Sequence, residues 1–288
     1  MLKQRVISAS VLIAIVFAAL FLFSPFAFAL ALSVVTILGI WEWTQFVFFK
    51  FPAARWAITG LSAAFIFLWI YGEQNYLTVG RVFEQYEPLL LFCSVIWWAA
   101  AFFLVVSYPK SAKIWSNNKL FHFIFAFFTL IPFFSAVLKL RLDHYAQDEV
   151  HGLILLLYVF LLVWGADTGA YFAGRKFGKH KLAPKVSPGK TWQGVFGGLI
   201  TAALLAGVFE YFNQDHLLEH VSMVEFVILS VATVAVSILG DLTESMFKRE
   251  AKLKDSSQLI PGHGGVLDRI DSLTAAVPFF AYFYFFVL

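Results

Sequence analysis

The sequence predicts an all-α protein of about nine membrane-spanning helices, with its N-terminus in the cytoplasm. Three observations carry that reading. Of the 288 residues, 60% are hydrophobic and only 14% charged, with 35 Phe and 9 Trp, a balance that excludes an ordinary soluble domain. Apolar runs of about 18 residues or more recur along the chain, the length that crosses a hydrocarbon core. Lipid offers no water to stray N–H and C=O groups, so such runs fold as helices. Finally, eighteen of the 21 Lys and Arg fall on alternate inter-run segments, as the positive-inside rule requires of cytoplasmic loops.

The runs are Val6–Phe23, Phe26–Phe49, Trp56–Tyr71, Pro88–Ser107, Leu120–Leu140, Gly152–Ala173, Gly194–Phe212, Val224–Leu242 and Leu273–Leu288. The first follows Lys3 and Arg5 and resembles a leader, but a second long run comes at once, so it reads as a span. Pro25, Pro52 and Pro109 punctuate between runs, whereas Pro132 and Pro278 fall inside them, where membrane helices tolerate a kink. The expected outer segments carry Arg81, Lys139 and Arg141 among acids: Glu73, Glu84, Glu87, Asp143, Asp148, Glu149, Asp215 and Glu219. The single cysteine, Cys93, cannot form an intrachain disulfide and reads as a small buried hydrophobe. Two regions differ in content: 1–150, apolar apart from Glu42, and 151–288, which holds the charged segments. They are not read as independently folding domains.

The chemistry concentrates in Asp241–Asp271. Asp241, Glu244, Ser245 and Lys248 recur at i, i+3, i+4 and i+7, one helical face. An acid at a membrane helix end is costly unless paired or metal-bound. Lys248-Arg249, Lys254-Asp255 and a turn of Pro261, Gly262, His263, Gly264 and Gly265 follow; Gly there admits backbone N–H groups close to an anion. Asp268, Arg269 and Asp271 open the last run, where a helix dipole favours acids. The second segment begins at Asp167, among small residues, and continues through Ser187-Pro188-Gly189-Lys190-Thr191-Trp192. Ser, Gly, Lys and Thr ahead of a helix make a phosphate cradle, although the P-loop spacing is absent. Carboxylates with Lys and Arg suit a hard divalent cation sharing its shell with substrate phosphates. With one free Cys and no close-spaced His/Cys cluster, zinc is not expected. Phosphoryl and nucleotidyl transfer need mainly positioning and charge neutralisation, which this set supplies.

These segments resemble the phosphatidate cytidylyltransferases (CDP-diacylglycerol synthases). The resemblance rests on Ser245-Met246-Phe247-Lys248-Arg249, Lys254-Asp255, Pro261–Asp271, Asp167–Tyr171 and Ser187–Trp192, and covers about Trp164–Ser272; the first five runs match in hydropathy alone. Gln193 departs from it, standing where an acid is expected. The resemblance implies that CTP and phosphatidic acid give CDP-diacylglycerol and pyrophosphate. It also implies Mg²⁺ on Asp241 and Asp268, with a second, monovalent cation such as K⁺ left open. CTP, phosphatidic acid and membrane lipids are the expected partners, a homodimer is left open, and nucleic acid is not expected. A bacterial inner membrane, with the site facing the cytoplasm, is the expected location.

Alternative readings stand beside these roles. Asp241 and Asp268 are metal ligands or ion pairs with Lys248 and Arg269. Ser187, Lys190 and Thr191 bind phosphate or cap a helix. Lys248, Arg249, Lys254 and Arg269 contact phosphate or face anionic lipid. His263 takes part in catalysis or pairs with a carboxylate in the turn. Asp167, Glu244 and Asp255 bind substrate or pair structurally; Gly264 and Gly265 present backbone N–H groups to it. Glu42 reads as structural, bonded to a neighbouring Trp N–H. Rival functions are a CTP-dependent lipid-alcohol kinase of the polyprenol or phytol type and a cation-coupled transporter. A CDP-alcohol phosphotransferase is disfavoured, because its DGxxAR signature is absent.

Overall fold

The protein is described by a computed structural model covering residues 2–48, 51–74, 78–213, 218 and 221–288, with side chains described for all of these except 2–6, 48, 73, 74 and 78–82. Lys50, Asp215 and Glu219 of the expected charge pattern therefore lie outside the described residues, as do the side chains of Lys3, Arg5, Glu73 and Arg81.

Among the described residues the chain is almost wholly helical. The helices are α1 (Leu2–Leu22), α2 (Pro25–Trp43), α3 (Gln45–Phe48), α4 (Pro52–Gln74), α5 (Thr78–Val106), α6 (Ala112–Trp115) and α7 (Lys119–Leu142). Then come α8 (His151–Phe177), a hairpin of β1 (Lys181–Ala183) and β2 (Ser187–Thr191), α9 (Trp192–Asn213), α10 (Met223–Glu250) and α11 (Leu267–Phe286). Seven of these segments are long and apolar enough to cross a membrane, against the nine runs expected from sequence. The first run corresponds to α1, whose apolar part, Ile7–Leu22, is shorter. The last run corresponds to α11, whose first two turns carry Asp268, Arg269 and Asp271.

The hairpin is the element the sequence reading missed. Ser, Pro, Gly and Lys carry no strand propensity, and the pairing of Lys181 with Thr191 and Ala183 with Ser187 is fixed by what lies around it. Gln193 Oε1 accepts hydrogen bonds from the backbone N–H groups of Lys179 and His180 at 3.1 and 3.2 Å, and its Nε2 lies 3.0 Å from His180 Nδ1. Gln193, standing where an acid was expected, thus clasps the base of the hairpin.

Small residues set the helix spacing, as expected where lipid removes the hydrophobic drive between helices. A Cβ on Gly197 of α9 would run into Ala173 of α8. A Cβ on Gly240 of α10 would stand 2.5 Å from the Asp271 carbonyl oxygen and 2.9 Å from Ala275 Cβ, so the turn bearing Asp241 lies directly on the turn bearing Asp271. Gly240→Val is expected to destabilise the protein by about 1–3 kcal/mol through overpacking, read as a lower unfolding midpoint in detergent; an unchanged midpoint would mean that this contact is not tight.

Phe247, 1% exposed, ties α10 to the first half of the chain. Its ring meets Trp43 at 5.0 Å, Trp115 at 4.7 Å, His122 at 5.6 Å and Phe125 at 5.7 Å between centroids. Because Lys248 is the next residue, this aromatic box fixes where the Lys248 side chain starts.

Candidate functional site

The site lies at one end of the bundle, where the end of α10, the start of α11 and the hairpin converge. As the heptad-like spacing predicts, Asp241, Glu244, Ser245 and Lys248 share a face of α10. Ser245 Oγ donates to Asp241 Oδ1 at 3.2 Å, and the Lys248 ammonium stands 3.2 Å from Glu244 Oε2.

Asp241 and Asp268 each have a cation: Lys248 is one of the two partners the ion-pair alternative named, and Lys190 stands in place of Arg269. Asp241 pairs with Lys190 of the hairpin at 2.7 Å between Oδ2 and Nζ. Asp268 pairs with Lys248, not Arg269, at 2.6 Å through Oδ1. Its Oδ2 accepts three further hydrogen bonds, from Ser256 N–H at 2.8 Å, Ser256 Oγ at 2.8 Å and Gly265 N–H at 2.7 Å. Asp268 therefore folds the connection between α10 and α11 as well as facing Lys248. Asp271, level with Gly240, lies in the fields of Asp241 and Glu244. Four carboxylates and one buried ammonium are thus gathered on two facing helices, and Glu244, 3% exposed, has the Lys248 ammonium on one side and Asp271 on the other.

Glu42 is wholly buried and reaches this connection from α2. Its Oε1 accepts from Ser257 Oγ at 2.6 Å and Val266 N–H at 2.9 Å; its Oε2 accepts from Leu267 N–H at 2.6 Å and lies 3.0 Å from Ser256 Oγ, whose single proton it shares with Asp268 Oδ2. The expected bond to a Trp N–H is not made; Glu42 instead caps the first turn of α11, where free N–H groups and the dipole favour a carboxylate. Gln45 adds a hydrogen bond from Nε2 to the Ser256 carbonyl. Gly265 leaves room for these carboxylates, since a Cβ there would stand 2.5 Å from Glu42 Oε1. Ser256 was missed in the sequence, where it reads as one loop serine among several.

The remaining expected residues divide. Lys254, Asp255, His263, Gly264 and Arg269 line a polar cleft of about 620 Å³ beside Asp268. Gly264 adopts φ +85°, a conformation costly for side-chain-bearing residues, and pairs back to Ile260 across the turn. Arg269 donates to the His263 carbonyl at 2.8 Å. The expected pairing of the His263 ring with a carboxylate is not seen at Nδ1, which is buried without a hydrogen-bond partner. Arg249 donates to the Val186 carbonyl at 3.3 Å and so pins the hairpin turn. Thr191 Oγ1 accepts from Gly194 N–H at 3.2 Å, the helix-capping role. Ser187 opens β2 opposite Ala183. Asp167, on α8, faces Lys190 and Asp241 electrostatically.

Residues 3–287 match the cytidylyltransferase family. The chain is 68% identical over its whole length, and over the whole of the relative, to a phosphatidate cytidylyltransferase of Haemophilus influenzae. It is 41% identical to one of Pseudomonas aeruginosa over 98% of this chain and 96% of the relative. To one of Staphylococcus epidermidis it is 39% identical over 61% of this chain and 64% of the relative.

Proposed function

The chain belongs to the cytidylyltransferase family, and on that premise we propose that it transfers CMP from CTP to phosphatidic acid. A phosphate oxygen of the lipid attacks the α-phosphorus of CTP, the bond to the bridging oxygen of the β-phosphate breaks, and pyrophosphate leaves. The attacking phosphate is already anionic, so no side chain has to remove a proton.

The observation that carries the reading is the meeting of Lys190, Lys248, Asp241 and Asp268, from the hairpin and two helices, at one end of the bundle. Lys190 and Lys248 bind phosphate oxygens when they leave their carboxylates. Lys254 and Arg269 in the adjoining cleft take the outer phosphates of the nucleotide. Asp241 and Asp268 hold Mg²⁺, with Asp271 and Glu244 beside them. The donor set suits that ion: it is all oxygen and anionic, with more carboxylates gathered than ammonium groups to balance them. When bound there, Mg²⁺ would supply charge neutralisation on the triphosphate, while the protein's own cationic groups position the reacting phosphates. Asp268 offers only Oδ1, since Oδ2 is filled by three donors.

We further propose nine spans, with α1 and α11 completing the seven longer ones, and a site facing the cytoplasm of a bacterial inner membrane. The charge pattern of the inter-helix segments supports that orientation. The test is labelled CTP with phosphatidic acid in detergent micelles. Incorporation of CMP into lipid with release of pyrophosphate is expected, and chelator is expected to abolish it until Mg²⁺ is restored. Release of CDP with phosphorylation of a lipid alcohol would establish a kinase instead, and turnover unaffected by chelator would remove the divalent ion.

A further inference from the structure

A second group of metal-binding side chains lies far from this site. Helix α7 starts beside Phe247, at the phosphate end, and runs 24 residues, so its last turn is about 36 Å away. Asp143 caps that turn, His144 follows, and His151 opens α8. The first turn of α8 is pressed on the last of α7, where a Cβ on Gly152 would collide with the Leu140 carbonyl. His151 Nε2 stands 3.3 Å from Asp143 Oδ2, and the rings of His144 and His151 are 4.7 Å apart. One ligand atom from each of the three residues lies within 4.8 Å of the others.

We propose that Asp143, His144 and His151 bind a borderline transition-metal dication of the zinc type at the end of the bundle opposite the phosphate site. Two imidazoles and a carboxylate suit Zn²⁺, and three protein ligands leave positions open for water. Bonds of about 2.1 Å in a tetrahedron bring ligand atoms to about 3.4 Å, which the exposed His144 ring reaches by rotating. The local charge favours a cation. Asp148 and Glu149 share the loop, while the neighbouring Arg141 guanidinium is held on the carbonyls of Glu149 and Leu20. Lys139 is taken by Glu87 at 2.9 Å. His144 sits at φ +51°, a conformation that fixes the direction in which its side chain leaves the loop. The ligand chemistry separates the two ends of the protein: oxygen-only groups for a hard ion at one, imidazole for a softer ion at the other.

The test is a Zn²⁺ titration of the full-length protein in detergent against a chromophoric chelator, with Mg²⁺ in excess to occupy the carboxylates of the phosphate site. One equivalent is expected to bind. His144→Asn and His151→Ala are each expected to weaken it roughly a hundredfold. Asn tolerates the positive φ, so His144→Asn keeps the loop and is expected to leave CMP transfer unchanged. Co²⁺ in place of Zn²⁺ is expected to give visible absorption in the wild type alone. Equal Zn²⁺ affinity in wild type and His144→Asn, or a wild type that leaves all Zn²⁺ with the chelator, would overturn the proposal.

Discussion

Asp241→Asn is expected to lower CTP incorporation into lipid by about 10²–10³-fold while leaving the unfolding midpoint in detergent close to that of the wild type. The two halves of that expectation have separate causes. Asp241 is part-exposed and its pair with Lys190 is 24–31% accessible, so its loss costs little stability. Its charge, however, is the one in the cluster that folds nothing else: its contacts are the Lys190 ammonium and the Ser245 hydroxyl. Asn keeps the shape and the ability to accept from Ser245 but removes the anion. Undiminished incorporation in this variant would show that no divalent ion is held there. Asp268→Asn is a poorer test of the same idea, because it also disturbs three hydrogen bonds that fold the connection to α11.

The second large effect is expected at Glu42, remote in sequence from every motif residue. Glu42→Ala is expected to destabilise the protein by about 3 kcal/mol or more, since it strips the acceptor from the Val266 and Leu267 N–H groups and the Ser257 hydroxyl at once, and to abolish transfer. Glu42→Gln is nearly as damaging. Each carboxylate oxygen receives a backbone N–H, so the amide nitrogen of Gln must face one from whichever side it is placed. Thermal unfolding and CMP incorporation measured on both variants decide this. Wild-type values in the Gln variant would mean that the negative charge of Glu42 is dispensable, and wild-type values in both would sink the capping role.

The difference between what could and could not be read from the sequence follows the range of the interactions. The helical face carrying Asp241, Glu244, Ser245 and Lys248 depends on spacing within one element, and the structure keeps it. The tight turn at Gly262–Gly265 is likewise a local matter of backbone freedom. Partner choice is not local. Asp241 took Lys190 from 51 residues upstream, and Asp268 took Lys248 instead of its neighbour Arg269, because the antiparallel contact at Gly240 sets which turns of α10 and α11 face. Glu42 carried a signal of its own: a lone acid in an apolar run is costly and needs partners. Its partners lie more than 210 residues away, beyond the reach of periodicity. The hairpin escaped because its strands are short and polar, held by Gln193 and Arg249 rather than by propensity. The count of spans is less legible than their existence, because α1 and α11 mix apolar length with charge at the helix start.

The ion pairs Lys190–Asp241 and Lys248–Asp268 give the resting protein a property of its own. On the proposed reaction, each ammonium is occupied by the group it would have to abandon before gripping a phosphate. On that footing, a nucleotide arriving alone would meet Lys190 and Lys248 already taken, and a metal ion arriving alone would meet Asp241 and Asp268 already taken. Arriving together, they would exchange partners with the protein in a swap of like for like. In that reaction, ligand pairing of this kind would work as a latch that opens to the combined substrate and stays shut to its parts.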